Sequence, residues 1–303
     1  MPYDHASSPD AFRSGHVVII GRPNVGKSTL FNALIGERLS IATPKPQTTR
    51  NNVLGILTTP RAQMLFLDTP GLLAPHYRLQ EVMRRQIQNA LQEVDVLLAI
   101  VDAVDFESSF DPDVREALGG VNVPVVIALN KIDLIGADQI ERGLSSLRGA
   151  IDVQEILPVS AARGDNVTQL RSVLEATLPP GPQFYPDDML TEQPERFFVS
   201  ELIREEVFLK LRQEIPYAVA VRVDEFREDR PKIYIRAEVI VERDSQKGIV
   251  IGAKGKTLKT IGKNARQKIE AFLASPVYLD LHVKVMENWR KKDTALRGLG
   301  YIT

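Results

Sequence analysis

The chain has 303 residues, 44% of them hydrophobic and 25% charged, with a formal net charge of −1 and no cysteine. That length suggests two domains, the composition is that of ordinary globular protein, and the missing cysteines rule out disulfides and thiolate metal sites. No apolar run reaches the length that a membrane-spanning helix needs. Residues 1–14 lack the apolar segment of a secretory signal, and their Pro, Ser and Asp content reads as a disordered tail, with the cytoplasm as the expected location. The near-neutral total hides an asymmetry: residues 1–195 hold 16 Lys and Arg against 24 Asp and Glu, whereas residues 196–303 hold 22 against 15. A basic half joined to an acidic one points to a polyanion surface confined to the C-terminal part.

In chain order, the apolar run 17–20 reads as a strand that feeds directly into Gly21-Arg22-Pro23-Asn24-Val25-Gly26-Lys27-Ser28. This stretch fits G-x-x-x-x-G-K-S/T in the strand–loop–helix setting that a phosphate-cradling loop requires. Gly21 and Gly26 let successive N–H groups turn inward as an anion nest, and the helix that follows adds its positive dipole end. Lys27 is placed to reach the β- and γ-phosphates, and the Ser28 hydroxyl to ligate Mg²⁺; Thr29 continues the first helical turn of the same nucleotide site. Helix 28–35, with Leu30, Phe31, Leu34 and Ile35 on its buried side, stops at Gly36. The polar stretch 40–50, containing Pro44 and Pro46, is a long loop of the functional kind. Its Thr49 is positioned to join the Mg²⁺ shell when a γ-phosphate is present and to let go after hydrolysis.

Runs 53–57 and 64–67 read as a strand pair, followed at once by Asp68-Thr69-Pro70-Gly71. A carboxylate at a strand's C-terminal end can hold the Mg²⁺ shell through water, and Gly71 leaves a backbone N–H free to meet the γ-phosphate. Helix 79–93 and strand 96–101 come next, the stretch 94–104 carrying Asp95 and Asp102 within an apolar run. Strand 125–129 leads into Asn130-Lys131-Ile132-Asp133. A carboxylate at Asp133 can accept from guanine N1–H and N2–H₂, a donor pair that adenine lacks. Asn130 is expected to brace the loop and contact the purine edge, and the stem of Lys131 to cover the ring. Strand 156–159 precedes Ser160-Ala161, whose Ala161 N–H is expected to donate to guanine O6.

The Pro-rich acidic stretch 182–195 reads as a linker. Beyond it come helix 196–212, closed by Pro216, and two alternating strands, 218–226 and 232–242. Residues 249–262 carry a second signature, a G-x-x-G loop with apolar flanks and a basic helix after it. Between Lys247 and Lys268 there are seven basic residues and no acidic one. Glycines at 252 and 255 allow a nucleic-acid backbone to approach closely, with helix N–H groups and lysine charge facing its phosphates. The expected RNA contacts are Lys247, Ile251, Gly252, Ala253, Lys254, Gly255, Lys256, Lys259 and Lys263, with the interiors at Val250, Ile251, Leu258 and Ile261 mainly core and only their edges meeting bases. The order helix–strand–strand–helix–loop–helix–strand, ending with strand 277–285, resembles a type II KH domain, a module that clamps single-stranded RNA. The sole tryptophan, Trp289, is expected to pack the final helix more readily than to stack on a base.

Gly21–Ser28, Thr49, Asp68–Gly71, Asn130–Asp133 and Ser160-Ala161 stand in the order of the translation-factor-like GTPases, and Gly-Arg-Pro-Asn-Val-Gly-Lys-Ser with Gln-Thr-Thr-Arg and Asp-Thr-Pro-Gly is similar to the Era branch in particular. The resemblance covers residues 15–303. It implies an α/β P-loop GTPase domain over 15–181, a mostly parallel sheet with helices on both faces. A linker (182–195), a smaller α+β KH domain (196–286) and a C-terminal tail or helix (287–303) would follow. It further implies GTP and GDP as ligands with Mg²⁺, held by Ser28, Thr49 and Asp68, and slow GTP hydrolysis in which Lys27 and Thr49 stabilise the transition state. Asn24 matches the asparagine that related GTPases use as a ligand for an activating K⁺. The implied partner is the single-stranded 3′ end of small-subunit (16S) rRNA in 30S subunit maturation, with possible peripheral association at the inner face of the membrane and a monomeric state. One departure matters: where Ras-like GTPases place a water-orienting glutamine after the Asp-x-x-Gly glycine, this chain has Leu72. A GTPase of another RNA-modification complex, and an RNA-binding protein whose nucleotide domain is a non-hydrolysing clamp, remain the alternatives at this point.

Overall fold

The computed structural model describes residues 11–151, 153–229 and 231–302; the tail expected over 1–14 lies outside the described residues as far as residue 10. The chain divides into two compact units. The first contains a six-stranded sheet in the order β2-β3-β1-β4-β5-β6, formed by β1 (Arg13–Ile20), β2 (Val53–Thr58), β3 (Ala62–Asp68), β4 (Val96–Asp102), β5 (Val125–Asn130) and β6 (Glu155–Val159). Only β2 runs antiparallel, to β3; the other pairings are parallel. A parallel sheet covered on both faces requires strands with no polar face, and β4 and β5 are buried at every position. Pro158 is tolerated in β6 because that strand is an edge.

The helices are α1 (Lys27–Ile35), α2 (Arg78–Ala90), α3 (Phe106–Ser109), α4 (Pro112–Gly119), α5 (Ala137–Ala150) and α6 (Val167–Thr177). Leu30, Phe31, Leu34 and Ile35 of α1 are all buried, and Gly36 ends it in the left-handed region. Helix α4 has a defined start, with Asp111 accepting from the Val114 N–H (3.1 Å) and Pro112 in the first turn. Because β1, β3, β4, β5 and β6 end on the same edge of the sheet, the loops after them converge there, the usual place for a ligand in an open parallel sheet.

The stretch expected as a linker is partly fixed structure. Through Glu192 it belongs to the first unit and lies along the edge strand β2, with Ile56 N–H donating to the Leu190 carbonyl (2.8 Å) and Thr191 Oγ1 to the Leu54 carbonyl (2.6 Å). Gln63, fully buried on β3, supplies the reason. Its Oε1 accepts from the backbone N–H groups of Phe184 and Tyr185, and its Nε2 donates to the Tyr185 carbonyl and Thr58 Oγ1, at 2.7–2.9 Å. One side chain thereby satisfies four polar partners that burial would otherwise strand.

The second unit comprises Gln193–Thr303 with two short segments, Ile41–Thr48 and Pro75–Val82. Its three-stranded sheet has the order β7-β8-β9, from β7 (Ala220–Arg227), β8 (Ile233–Val241) and β9 (Val277–Val285), the first pair antiparallel and the second parallel. Helices α7 (Glu195–Lys210), α8 (Asp244–Ile251), α9 (Lys256–Leu273) and α10 (Asp293–Gly298) complete it. Helix α7 ends at Lys210, short of Pro216, which opens a separate 3₁₀ turn. Its apolar side enters a core with Ile235, Val239, Val250, Ile261 and Ile269, yet Arg204, Glu205 and Glu206 are buried too. These charges have partners: Arg204 bonds Glu201 and the Thr48 carbonyl, and Lys268 of α9 bonds both Glu205 and Glu206. Trp289 is fully buried, donates to the Ala218 carbonyl (2.9 Å) and stacks on Tyr301 at 5.9 Å, so its ring is a packing element. Among the described residues no helix is long and apolar enough to cross a membrane.

Replacing Gln63 with Leu removes all four bonds and leaves the two N–H groups without a buried partner. The expected result is a loss of about 2–4 kcal/mol of stability and new proteolytic cleavage near Tyr185, read by urea unfolding and limited trypsin or chymotrypsin digestion.

Candidate nucleotide site and nucleic-acid groove

The loop from Gly21 to Ser28 curls through three left-handed or extended-positive positions, Gly21 (φ 151°), Asn24 (φ 67°) and Gly26 (φ 102°). At Gly21 a Cβ would lie 2.6 Å from the Ile100 carbonyl oxygen, and at Gly26 it would overlap the Asn130 amide. Both glycines are therefore required by space as well as by torsion. Asn130, at the end of β5, donates to the Val25 carbonyl (2.8 Å) and accepts from the Ala161 N–H (2.9 Å), joining the phosphate loop, the Asn-Lys-Ile-Asp loop and the Ser-Ala loop through one buried amide. The Ala161 N–H, expected as a donor to guanine O6, is held here by the Asn130 amide oxygen, which fixes its place beside the base loop.

Lys27 is buried, its ammonium donating to the Gly21 and Arg22 carbonyls at 3.1 and 2.9 Å. Burial lowers its pKa from 10.5 to about 8, Asp68 opposing the shift and Arg22 adding to it. Three hard-oxygen groups meet beside it: Ser28 Oγ lies 2.8 Å from Thr49 Oγ1, which is 3.4 Å from Asp68 Oδ2. Ser40, which sequence reasoning passed over, donates to the same Asp68 oxygen at 2.7 Å. Asp68 is fully buried, and burial raises its pKa against the hydrogen bonds of Ser40, Ser28 and Thr49 and the charge of Lys27. Its Oδ1 is buried without a hydrogen-bond partner among the described residues. An orphaned carboxylate oxygen beside two hydroxyls, all hard donors, is what Mg²⁺ and its waters would complete. Thr69 is turned inward, its hydroxyl donating to the Ile19 carbonyl at 2.6 Å, so it ties the loop to β1.

On the base side, Asp133 Oδ1 accepts from Ser160 Oγ (2.7 Å), and Arg163 lies 3.7 Å from Oδ2. Lys131, held in the left-handed region (φ 69°), pairs with Asp102. Asp102 is itself fixed by the Val104 N–H, which donates to Oδ1 at 2.9 Å. The available signal for Asp102 was a carboxylate closing an otherwise apolar buried strand. Arg22 turns its guanidinium away from the loop, so only its backbone belongs to the cradle.

In the second unit, Gly252 (φ 71°), Lys254 (φ 53°) and Gly255 (φ 75°) bend the chain between α8 and α9. A groove of about 510 Å³ opens beside this bend, lined by Gly255, Leu258, Lys259, Gly262, Lys263, Arg266, Leu279 and Leu281. Of the expected contacts, Gly255, Lys259 and Lys263 line it. Leu258, expected mainly in the core, packs against it and also forms part of the groove's apolar surface with Leu279 and Leu281 of β9, which the G-x-x-G pattern alone does not reach. Lys247, Ile251, Gly252, Ala253, Lys254 and Lys256 lie at or before the bend rather than along the groove. Basic rims over an apolar floor suit a strand whose phosphates and unstacked bases face opposite ways.

The first unit thus has the construction of a P-loop GTPase and the second that of a type II KH domain. A model of 50S ribosome-binding GTPases matches residues 16–131, and a KH-domain model matches residues 214–290. The chain is also similar to the solved structure of Era in complex with MgGDPNP and nucleotides 1506–1542 of 16S ribosomal RNA. Identity is 38% over 96% of this chain and 100% of that one, with a TM-score of 0.91. It is equally similar to a single-residue variant of Aquifex aeolicus Era bound to GDP·AlF₄⁻, at 37% identity over the same shares and a TM-score of 0.91. The chain belongs to the Era family of GTPases.

The depressed Lys27 pKa carries a testable sign. Free Lys27 loses its proton as pH rises through about 8, while phosphate oxygens favour the ammonium. GDP binding is therefore expected to take up a proton above about pH 8 and none near pH 7, with affinity falling toward tenfold per pH unit at the upper end. Calorimetry in buffers of different ionisation enthalpy reads this directly, and Lys27→Met should abolish both the binding and the proton uptake.

Proposed function

We propose that this protein is a GTP-hydrolysing switch that binds the single-stranded 3′ end of 16S rRNA and acts in assembly of the 30S ribosomal subunit. The observation that carries the reading is the co-occurrence in one chain of the Asn130-braced phosphate loop and the basic-rimmed KH groove. The related Era structure combines MgGDPNP with a 16S rRNA segment over the full length of its match.

Lys27 offsets charge on the β- and γ-phosphates, and the N–H groups of the loop and of the first turn of α1 supply the remaining donors. Asp133 selects guanine by accepting from N1–H and N2–H₂. Mg²⁺, held by Ser28, Thr49 and Asp68, would supply charge neutralisation between the phosphates. Thr49 and the Gly71 N–H respond to the third phosphate, and their release after hydrolysis frees the flanking loops. Leu72 has no group with which to orient water, so turnover is slow. Asn24, exposed in the left-handed region of the phosphate loop, is the K⁺ ligand, and a cation there offsets charge developing at the leaving oxygen. A cytoplasmic location, with peripheral contact at the inner membrane face, follows from the family resemblance.

Turnover measured in KCl against NaCl is expected to be faster in KCl for the wild type and equal in both salts for Asn24→Ala; equal wild-type rates reject the K⁺ role. For RNA, Lys259→Glu with Lys263→Glu should abolish binding of an rRNA 3′-end oligonucleotide while leaving GDP affinity intact. A single Lys→Ala change should shallow the salt dependence by about 0.7 in log–log slope. An oligonucleotide that binds the double variant as well as the wild type removes the groove from the reading.

A further inference from the structure

Leu72 occupies the place of the missing glutamine, yet its backbone is held on both sides. Its N–H donates to the Gly21 carbonyl (3.0 Å), and its carbonyl accepts from Arg22 Nη1 (3.0 Å). Gly71 lies against Pro23 so closely that a Cβ would fall 2.9 Å from both the Pro23 nitrogen and its Cγ. The Leu72 side chain packs against the apolar core that contains Val18, Ile20 and Leu97. Three consecutive residues of the phosphate loop, 21–23, thus fix the two residues that follow Asp-Thr-Pro. Arg22 is anchored in turn: its Nε lies 3.1 Å from Asp111 Oδ2, and its Nη1 3.4 Å from Asp113 Oδ2. Asp111 is the N-cap of α4. A planar guanidinium can join a carbonyl and a carboxylate in fixed directions, as a lysine ammonium cannot.

We infer that Arg22 is a positioning residue for hydrolysis, holding the Gly71–Leu72 peptide at the phosphate loop while Asp111 holds Arg22. The inference rests on the GTPase reading above. Where a glutamine side chain would align water, this chain instead fixes a backbone segment, whose Gly71 N–H is the group that the GTPase reading assigns to the third phosphate. Arg22 does not touch the nucleotide with its side chain, so its influence falls on the reaction step rather than on ground-state affinity. A displacement of the peptide by a fraction of the distance between reacting atoms is costly to a step that depends on alignment.

The test uses the full chain with Arg22→Gln, Asp111→Asn and the double variant. Asparagine caps a helix as well as aspartate does, so Asp111→Asn removes the charge while keeping α4 intact. Both single variants are expected to lower kcat by about tenfold or more, with KM and calorimetric GDP affinity changed by less than about twofold. The double variant should be no slower than the slower single, because both act through one contact. An unchanged or raised kcat in Arg22→Gln overturns the inference. So does a parallel loss of GDP affinity, which would mean general damage to the loop, or a double variant whose losses multiply. A wild-type protein that binds GDP but does not hydrolyse GTP fails the underlying reading instead.

Discussion

The buried amide of Asn130 is the interaction on which the nucleotide site depends. Its nitrogen fixes the Val25 carbonyl and its oxygen the Ala161 N–H, so three loops from three strand ends share one rigid brace. The space it fills is the space a side chain at residue 26 would need. Gly26 is thus demanded twice, by the turn and by its neighbour. Fixed donors cost little reorganisation when an anion arrives, and for that reason a preformed cradle outperforms a flexible one.

The same site stores unfavourable electrostatics. A buried ammonium rests on two carbonyls, and a buried carboxylate leaves one oxygen without a partner among the described residues. Burial pushes Lys27 and Asp68 each toward its neutral form. Such groups lower the stability of the free protein, and the ligands that complete them stabilise it through their binding. The second unit differs. There the buried charges Arg204, Glu205 and Glu206 have protein partners, so they define packing rather than await a ligand.

Much of this was readable from the sequence because motif, strand and turn coincided. Runs such as 17–20 and 125–129 are apolar and rich in β-branched residues, and each leads directly into a residue, Gly21 or Asn130, whose chemistry has few other uses there. The KH order was readable for the same reason, since alternating strands flank a glycine pair and a basic helix. The short helices α3 and α4 and the longer α5 carry no motif that points to them, although Asp111-Pro112 is a usable start signal for α4 and Ile140, Leu144 and Leu147 give α5 a helical spacing. The directions of charged side chains were not readable at all. Nothing local in Gly-Arg-Pro distinguishes an arginine that meets phosphate from one that turns to Asp111, and nothing in Gln63 announces a buried residue bonded to a segment over 120 positions away. Such partners are set by the tertiary fold.

The segment lying on β2 has a consequence for how the nucleotide-binding half can exist alone. β2 is an edge strand with an outward row of hydrogen-bonding groups, and Leu190 and Thr191 occupy two of them. Uncovered edges recruit strands from other molecules. A fragment cut at residue 181, where the motifs end, would bare that edge and invite self-association, whereas one extended to residue 192 carries its own shield. The proline-rich stretch thereby serves solubility as much as connection.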